Sequence, residues 1–428
     1  MKKDILIYFF GKIIPALVNL AIIILGVRFL GEEQYGKYSL IFSGILLISN
    51  VSFTWIQQSM IRFLSGYKEK PGEAISRFFY LTAASTLAGA GVLVMTCLFY
   101  FRLQWPEMVA VVLYLILSVL FLFRLTLYQS LIRPVKYALY EVSYNLFLLL
   151  FFLGFVYIFV FRNFIILFIS MGAGLVMAEI IHRIALLEKP LRIDLKKFHR
   201  DKQFTAQAMD YGFTLTIWIM VFTLTAIADR YVIKEFQNYA AVGTYAAMKD
   251  LVTKISTFSI LPVFLAFNAK INDAWNHGEE ARALKLVKQA LKIEFLVCIV
   301  VVAGFILFRD LLYTRILHLK GDGLFVSSIF LIAGAFLWQG ALIIHKPLEL
   351  LMKQRSMVCA LLAGMIVNLG ANLIFVPYFG FSASAVISFS TALLYVILAL
   401  LLSRRSLKRY HQAGNTPEEP GPDLFMVQ

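Results

Sequence analysis

Three lysines stand inside stretches that are otherwise too apolar to hold a charge: Lys12, Lys249 and Lys254. A cation at the centre of a bilayer costs about 2.5–3.5 kcal/mol on insertion scales, so it must be neutralised, hydrated or functional. Arg28, Arg124 and Arg230 lie near the ends of similar stretches. Together these six side chains could line a cationic cavity and draw an anionic, phosphate-bearing ligand out of water. Trp55, Trp218, Tyr245 and Trp338 offer flat faces on which a ring of a ligand could stack. The acidic residues in the same apolar stretches, Glu141, Glu179, Asp229 and Asp250, are the groups that could carry a proton, with Asp229 and Asp250 the foremost candidates.

Each of these residues also has a plainer reading. Asp250 and Lys254 stand at i and i+4 and could only neutralise each other. Arg28, Arg62 and Arg124 could snorkel to headgroups, and Asp229-Arg230 could cap a helix end. Trp and Tyr on spans often belong to interfacial belts or to packing. Lys12 and Lys249 have no acidic residue three or four positions away, which favours function for these two.

The elements that position them follow from composition. The chain has 428 residues, of which 60% are hydrophobic and only 15% charged, with a mean hydropathy of +0.79. A soluble protein carries about 25% charged residues. That comparison excludes a soluble enzyme, a coiled coil, a disordered chain and a secreted disulfide scaffold. Charge-poor runs of about 20 residues, the length that crosses a bilayer, occur twelve times. They fall at roughly 8–29, 38–61, 77–100, 108–130, 139–161, 163–186, 208–228, 241–266, 289–308, 324–345, 356–376 and 382–403. Residues 356–403 hold no charge at all, and Pro377-Tyr378-Phe379-Gly380 divides them into a helical hairpin. Continuous apolarity excludes a membrane barrel, whose strands alternate in polarity. The fold class expected is all-α, a polytopic membrane protein.

With the amino terminus inside, 28 of the 40 Lys and Arg residues fall in inward segments and 9 in outward turns. Both termini are therefore expected on the cytoplasmic side, and no outward loop is long enough for a folded domain. Glu279–Leu296 reads as an amphipathic helix leading into the ninth span, and residues 411–428 as a disordered tail. No cleavable signal peptide is read at the start of the chain. Cys97, Cys298 and Cys359 read as core residues without metal spacing. The six histidines are dispersed and no Walker sequence is present, so no cofactor, metal site or ATP hydrolysis is expected. In a membrane chain the net charge of +15 sets orientation and implies no nucleic acid.

A repeat is visible in the turns. Gly31-Glu32-Glu33-Gln34-Tyr35-Gly36-Lys37-Tyr38 and Tyr239-Ala240-Ala241-Val242-Gly243-Thr244-Tyr245 both bring Gly-x-Tyr to the start of a span, 207 residues apart. Each follows a span opened by an aromatic-Gly pair, Phe10-Gly11 and Tyr211-Gly212. An offset near half the length implies two six-helix halves, residues 1–200 and 201–410, an arrangement characteristic of secondary transporters.

At RFLGEEQYGKYSL, ADRYVIKEF…VGTYAA and FVPYFGFSASAVIS the chain resembles the polysaccharide flippases of the multidrug/oligosaccharidyl-lipid/polysaccharide exporter superfamily, the Wzx type above all. The resemblance covers Lys3 to about Arg409. It implies a V-shaped bundle working by alternating access, and a substrate of isoprenoid-diphosphate-linked oligosaccharide moved from the cytoplasmic to the periplasmic leaflet of a bacterial inner membrane. O-antigen, lipopolysaccharide, capsule or exopolysaccharide assembly would follow, with the polymerase and chain-length proteins of the same pathway as partners. Such a chain is not an enzyme. A multidrug cation antiporter of the same superfamily is the alternative, but it would call for a net acidic cavity. A polysaccharide polymerase or ligase would need the outward loop that is missing here.

Overall fold

The computed structural model describes residues 2–64, 71–158, 162–185, 202–308, 311–319 and 323–412. Among them every regular element is helical. The helices are α1 (Lys2–Phe63), α2 (Pro71–Thr96), α3 (Trp105–Ser130), α4 (Pro134–Ile158), α5 (Ile165–Ala185) and α6 (Lys202–Phe236). They continue with α7 (Tyr239–Asn276), α8 (Glu280–Leu307), α9 (Leu324–Ile344), the short α10 (Lys346–Leu350), α11 (Gln354–Phe379) and α12 (Phe381–Gln412). Two π-helical turns follow α2 and α8, at Cys97–Phe101 and Leu311–Leu317.

Eleven of these helices are long and apolar enough to cross a membrane among the described residues. The first spans 53 residues at Gly11–Phe63, enough for two crossings, and breaks only at Gly31 (φ 80°, ψ 166°). Counting its two arms separately gives the twelve crossings expected from the sequence. A left-handed φ of this size suits glycine alone, and no other atom lies near enough to obstruct the bend.

Several boundaries differ from the sequence reading. The turn expected over Gly31–Tyr38 is a single-residue break, and Gly36 lies inside a helix. The turn expected over Tyr239–Ala246 is confined to Gln237-Asn238, with α7 starting at Tyr239. Polar side chains hid this, because helix propensity tolerates Glu, Gln and Lys that hydropathy reads as loop. Asp229-Arg230 cap nothing, since α6 runs on to Phe236. Pro377 stays within α11, and the hairpin turn rests on Gly380 at φ 62°. The amphipathic segment and the ninth span are one helix, α8. Of the three cysteines only Cys97 is buried; Cys359 is exposed. The residues 413–428 of the expected tail lie outside those described.

The chain forms two compact units, Met1–Ala247 with Tyr313–Leu319, and Met248–Leu312 with Lys320–Gln428. In the first unit α1 is the hub, packed on α2, α3, α4 and α6, while α5 packs on α3 and α4. In the second, α12 packs on α9 and α11, and α8 on α9. There Ile271, Ala274, Ala283, Val287, Ala290 and Ile343 form a tight apolar cluster joining α7, α8 and α9.

Small residues set the helix spacing, as expected where lipid removes any hydrophobic drive between helices. A Cβ on Gly36 would lie 1.9 Å from the Tyr239 carbonyl oxygen, and one on Gly243 would lie 1.9 Å from the Glu32 carbonyl oxygen. The contact is reciprocal at an offset of 207, since 239 minus 32 and 243 minus 36 both give the spacing of the sequence repeat. Self-complementary contact of this kind is what a two-fold relation between like segments produces.

Candidate functional site

The α1–α4 seam carries the first polar constellation. Gly11 meets Ala138 so closely that an added Cβ would sit 2.6 Å from the alanine methyl. One residue on, Lys12 Nζ donates to Glu141 Oε1 at 2.7 Å and to the Tyr137 hydroxyl at 2.9 Å, with its ammonium 4.9 Å from the Tyr137 ring centre. Two turns farther along α1, Asn19 Nδ2 donates to Asn145 Oδ1 at 3.0 Å, and Asn145 Nδ2 to the Glu141 carbonyl at 2.8 Å. The result is a ladder of Lys-Glu and Asn-Asn rungs along one seam. The Lys12 side chain is 41% exposed against 15% for Glu141. An ammonium has three donors, and the two partners use two of them. Lys12 thus keeps a donor for a ligand while a neighbouring helix balances its charge.

The second constellation joins α1, α6 and the start of α7. Arg230 Nη1 donates to Ser39 Oγ at 2.6 Å and to Ser43 Oγ at 3.2 Å. Asp229 Oδ1 accepts the Arg230 backbone N–H at 2.9 Å, and Oδ2 accepts the Tyr245 hydroxyl at 2.5 Å. All three residues are buried, Asp229 and Tyr245 completely. This buried polar core ties α6 to α1 and to the start of α7, although Arg230 Nε has no hydrogen-bond partner. Tyr245 presents no face to a sugar, and Trp55 is buried where α1 meets Gly212 of α6; the stacking expected of these two has no open surface in this arrangement. Trp218 is half-buried and stacked on Phe222, with ring centres 5.5 Å apart.

The remaining expected residues fall elsewhere. Arg124 leaves the Lys12 group for α5, where it pairs with Glu179 at 2.9 Å. Arg28 is exposed. On α7, in the second unit, Lys249 and Asp250 are half-buried and Lys254 is exposed, as is Trp338 half-buried on α9. One group escaped the sequence reading: Glu294 on α8, 5% exposed, with Oε1 lacking any hydrogen-bond partner and Gly340 of α9 directly against its carboxyl oxygens. It falls where the expected amphipathic helix Glu279–Leu296 overlaps the ninth span, so its carboxylate reads as part of the polar face of that helix. The partners of Lys12 were likewise invisible, since they lie about 125–129 residues away.

Comparison with known proteins adds the family. No curated protein matches the chain. Among solved structures, the chain is similar to an inward-facing multidrug resistance MATE family transporter of the MOP superfamily, at TM-score 0.75 and 14% identity, covering 94% of this chain and 96% of that one. An outward-facing MATE transporter follows at TM-score 0.65 and 15% identity, covering 95% of each chain. A MOP-superfamily transporter from Pyrococcus furiosus, described as having a binding pocket of reversed polarity, gives 0.63 and 14%, again over 95% of each chain. At these identities the likeness shows the fold alone, that of a polytopic all-α membrane protein. The family model described as polysaccharide biosynthesis protein matches residues 1–267, well over half the chain. Fold and family together make this a multi-pass membrane protein that belongs to the polysaccharide biosynthesis protein family.

Proposed function

We propose that the chain is a flippase that carries isoprenoid-diphosphate-linked oligosaccharide from the cytoplasmic to the periplasmic leaflet of a bacterial inner membrane by alternating access, for O-antigen, capsule or exopolysaccharide assembly. The observation that carries this reading is Lys12: a half-exposed ammonium in the first turn of the first apolar span, held by Glu141 and Tyr137, with a donor left for a phosphate. Charge-assisted bonds of this type are about twice as strong as neutral ones and suit a diphosphate. Arg28 of the first unit and, by themselves, Lys249 and Lys254 of the second are the further proposed substrate-binding cations, Arg230 acting through the packing of α1 on α6, and Trp218 is the sugar-stacking candidate. Asp229 and Asp250 are the proposed proton carriers. Both termini lie in the cytoplasm on the Lys/Arg bias, and the repeats are residues 1–200 and 201–410. The polymerase and chain-length proteins of the pathway are its proposed partners, and no catalytic step is assigned to the chain.

The test is surface polysaccharide in a deletion strain carrying Lys12 variants, with protein level followed by blot. Lys12→Ala should abolish export, Lys12→Arg should keep a substantial part, and Lys12→Glu should be worst. Because Glu141 is left unpaired by the first of these, the exchange Lys12→Glu with Glu141→Lys is the informative partner. It restores the pair but moves the cation to α4. Full export by Lys12→Ala would remove the lysine from the substrate path. Export of cationic dyes in place of glycan would favour a multidrug antiporter.

A further inference from the structure

On the first unit α3 and α5, with Phe79 of α2 and Tyr140 of α4, line a groove of about 460 Å³. Its wall is apolar along Leu117 and Leu120 of α3 and Leu175 and Val176 of α5, and Leu120 and Val176 are themselves exposed. One end is charged. Arg124 Nη2 and Arg183 Nε both donate to Glu179 Oε1, at 2.9 and 2.6 Å, while the Tyr140 hydroxyl donates to Oε2 at 3.0 Å. Two guanidiniums thus converge on one carboxylate, and Arg183 is 52% exposed. At 1.5 Å per residue the apolar wall extends about 10–12 Å from the arginines along each helix. Arg183 lies in the last turn of α5, so the charged end is the end of a span and the apolar end points to mid-membrane.

We propose that this groove binds an anionic phospholipid, its phosphate at Arg183 and Arg124 and one acyl chain along Leu117, Leu120, Leu175 and Val176. The surplus of one positive charge among Arg124, Arg183 and Glu179 matches the single negative charge of a phosphatidylglycerol headgroup. A diphosphate, with more charge, would overbalance it. The volume is in the range of ordinary ligand sites, and basic pockets between spans are recurrent sites for acidic headgroups. The proposal is independent of the flippase reading.

Its test uses the full chain in a mild detergent, with bound lipid counted by native mass spectrometry during titration with phosphatidylglycerol or phosphatidylcholine of equal chain length. Phosphatidylglycerol should bind preferentially. Arg183→Gln should weaken it about fivefold, the contribution of one cation near the membrane surface. Arg102→Gln, an exposed arginine outside the groove, should leave it unchanged. Val176→Trp should weaken both lipids by filling the slot. Equal binding of the two lipids, or an Arg183→Gln variant indistinguishable from wild type, would overturn the proposal. So would displacement of phosphatidylglycerol by an isoprenyl diphosphate at lower concentration, which would reassign the groove to substrate.

Discussion

Lys12 shows how the partner of a residue can escape a reading confined to its own helix. Within α1 it has no counter-charge, and the insertion cost argues for a role; across the seam, Glu141 supplies the counter-charge. Helical spacing sees only i±3 and i±4, so a partner on α4 cannot be read from one chain. The pair has an energetic signature. Removing one member of a buried pair costs about 3–5 kcal/mol, and the 41% exposure of Lys12 should bring Glu141→Ala to about 2–3 kcal/mol. The double variant Lys12→Ala with Glu141→Ala should be less destabilised than Glu141→Ala alone, as read by thermal unfolding in detergent. Additive losses would show that the two charges are not coupled. Asp229 illustrates the opposite case: its place in a span was legible, but its saturation by Tyr245 and the Arg230 backbone was not.

At the scale of elements, apolar run length gave the crossings and their order, because a span is a property of local composition. Ends were less legible. Glu, Gln and Lys extend helices beyond the hydrocarbon, and only backbone geometry distinguishes the bend at Gly31 from a loop. Glycine content alone could not say which glycines matter. Gly36 and Gly243 each face a carbonyl oxygen with no room for a methyl, whereas Gly91 and Gly154 have nothing within 4 Å. Gly36→Ala or Gly243→Ala should therefore push α1 and α7 apart and cost about 1–3 kcal/mol. Gly91→Ala should be neutral or stabilise by about 0.5–1 kcal/mol. Melting temperatures of the three variants decide the matter; equal shifts would mean that the reciprocal contact does not hold these helices together.

At the scale of the molecule, the charge distribution sets an expectation for orientation. If the Lys/Arg bias sets orientation, reporter fusions at His277, between α7 and α8, and after Gln412 should read cytoplasm, and one at Asn238, between α6 and α7, should read periplasm. A fusion at Lys196, outside the described residues, should also read cytoplasm, since its segment holds seven basic residues. A periplasmic signal there would invert the topology and the direction of transport. The central claim is tested most directly in proteoliposomes containing the purified chain and a labelled isoprenoid-diphosphate oligosaccharide. A membrane-impermeant glycosidase added outside should, in vesicles with the protein, cleave beyond the fraction initially in the outer leaflet, and Lys12→Glu should return cleavage to that fraction. Cleavage that stops at the outer-leaflet fraction with the wild-type protein present, in vesicles where the same protein moves a cationic dye, would contradict the account.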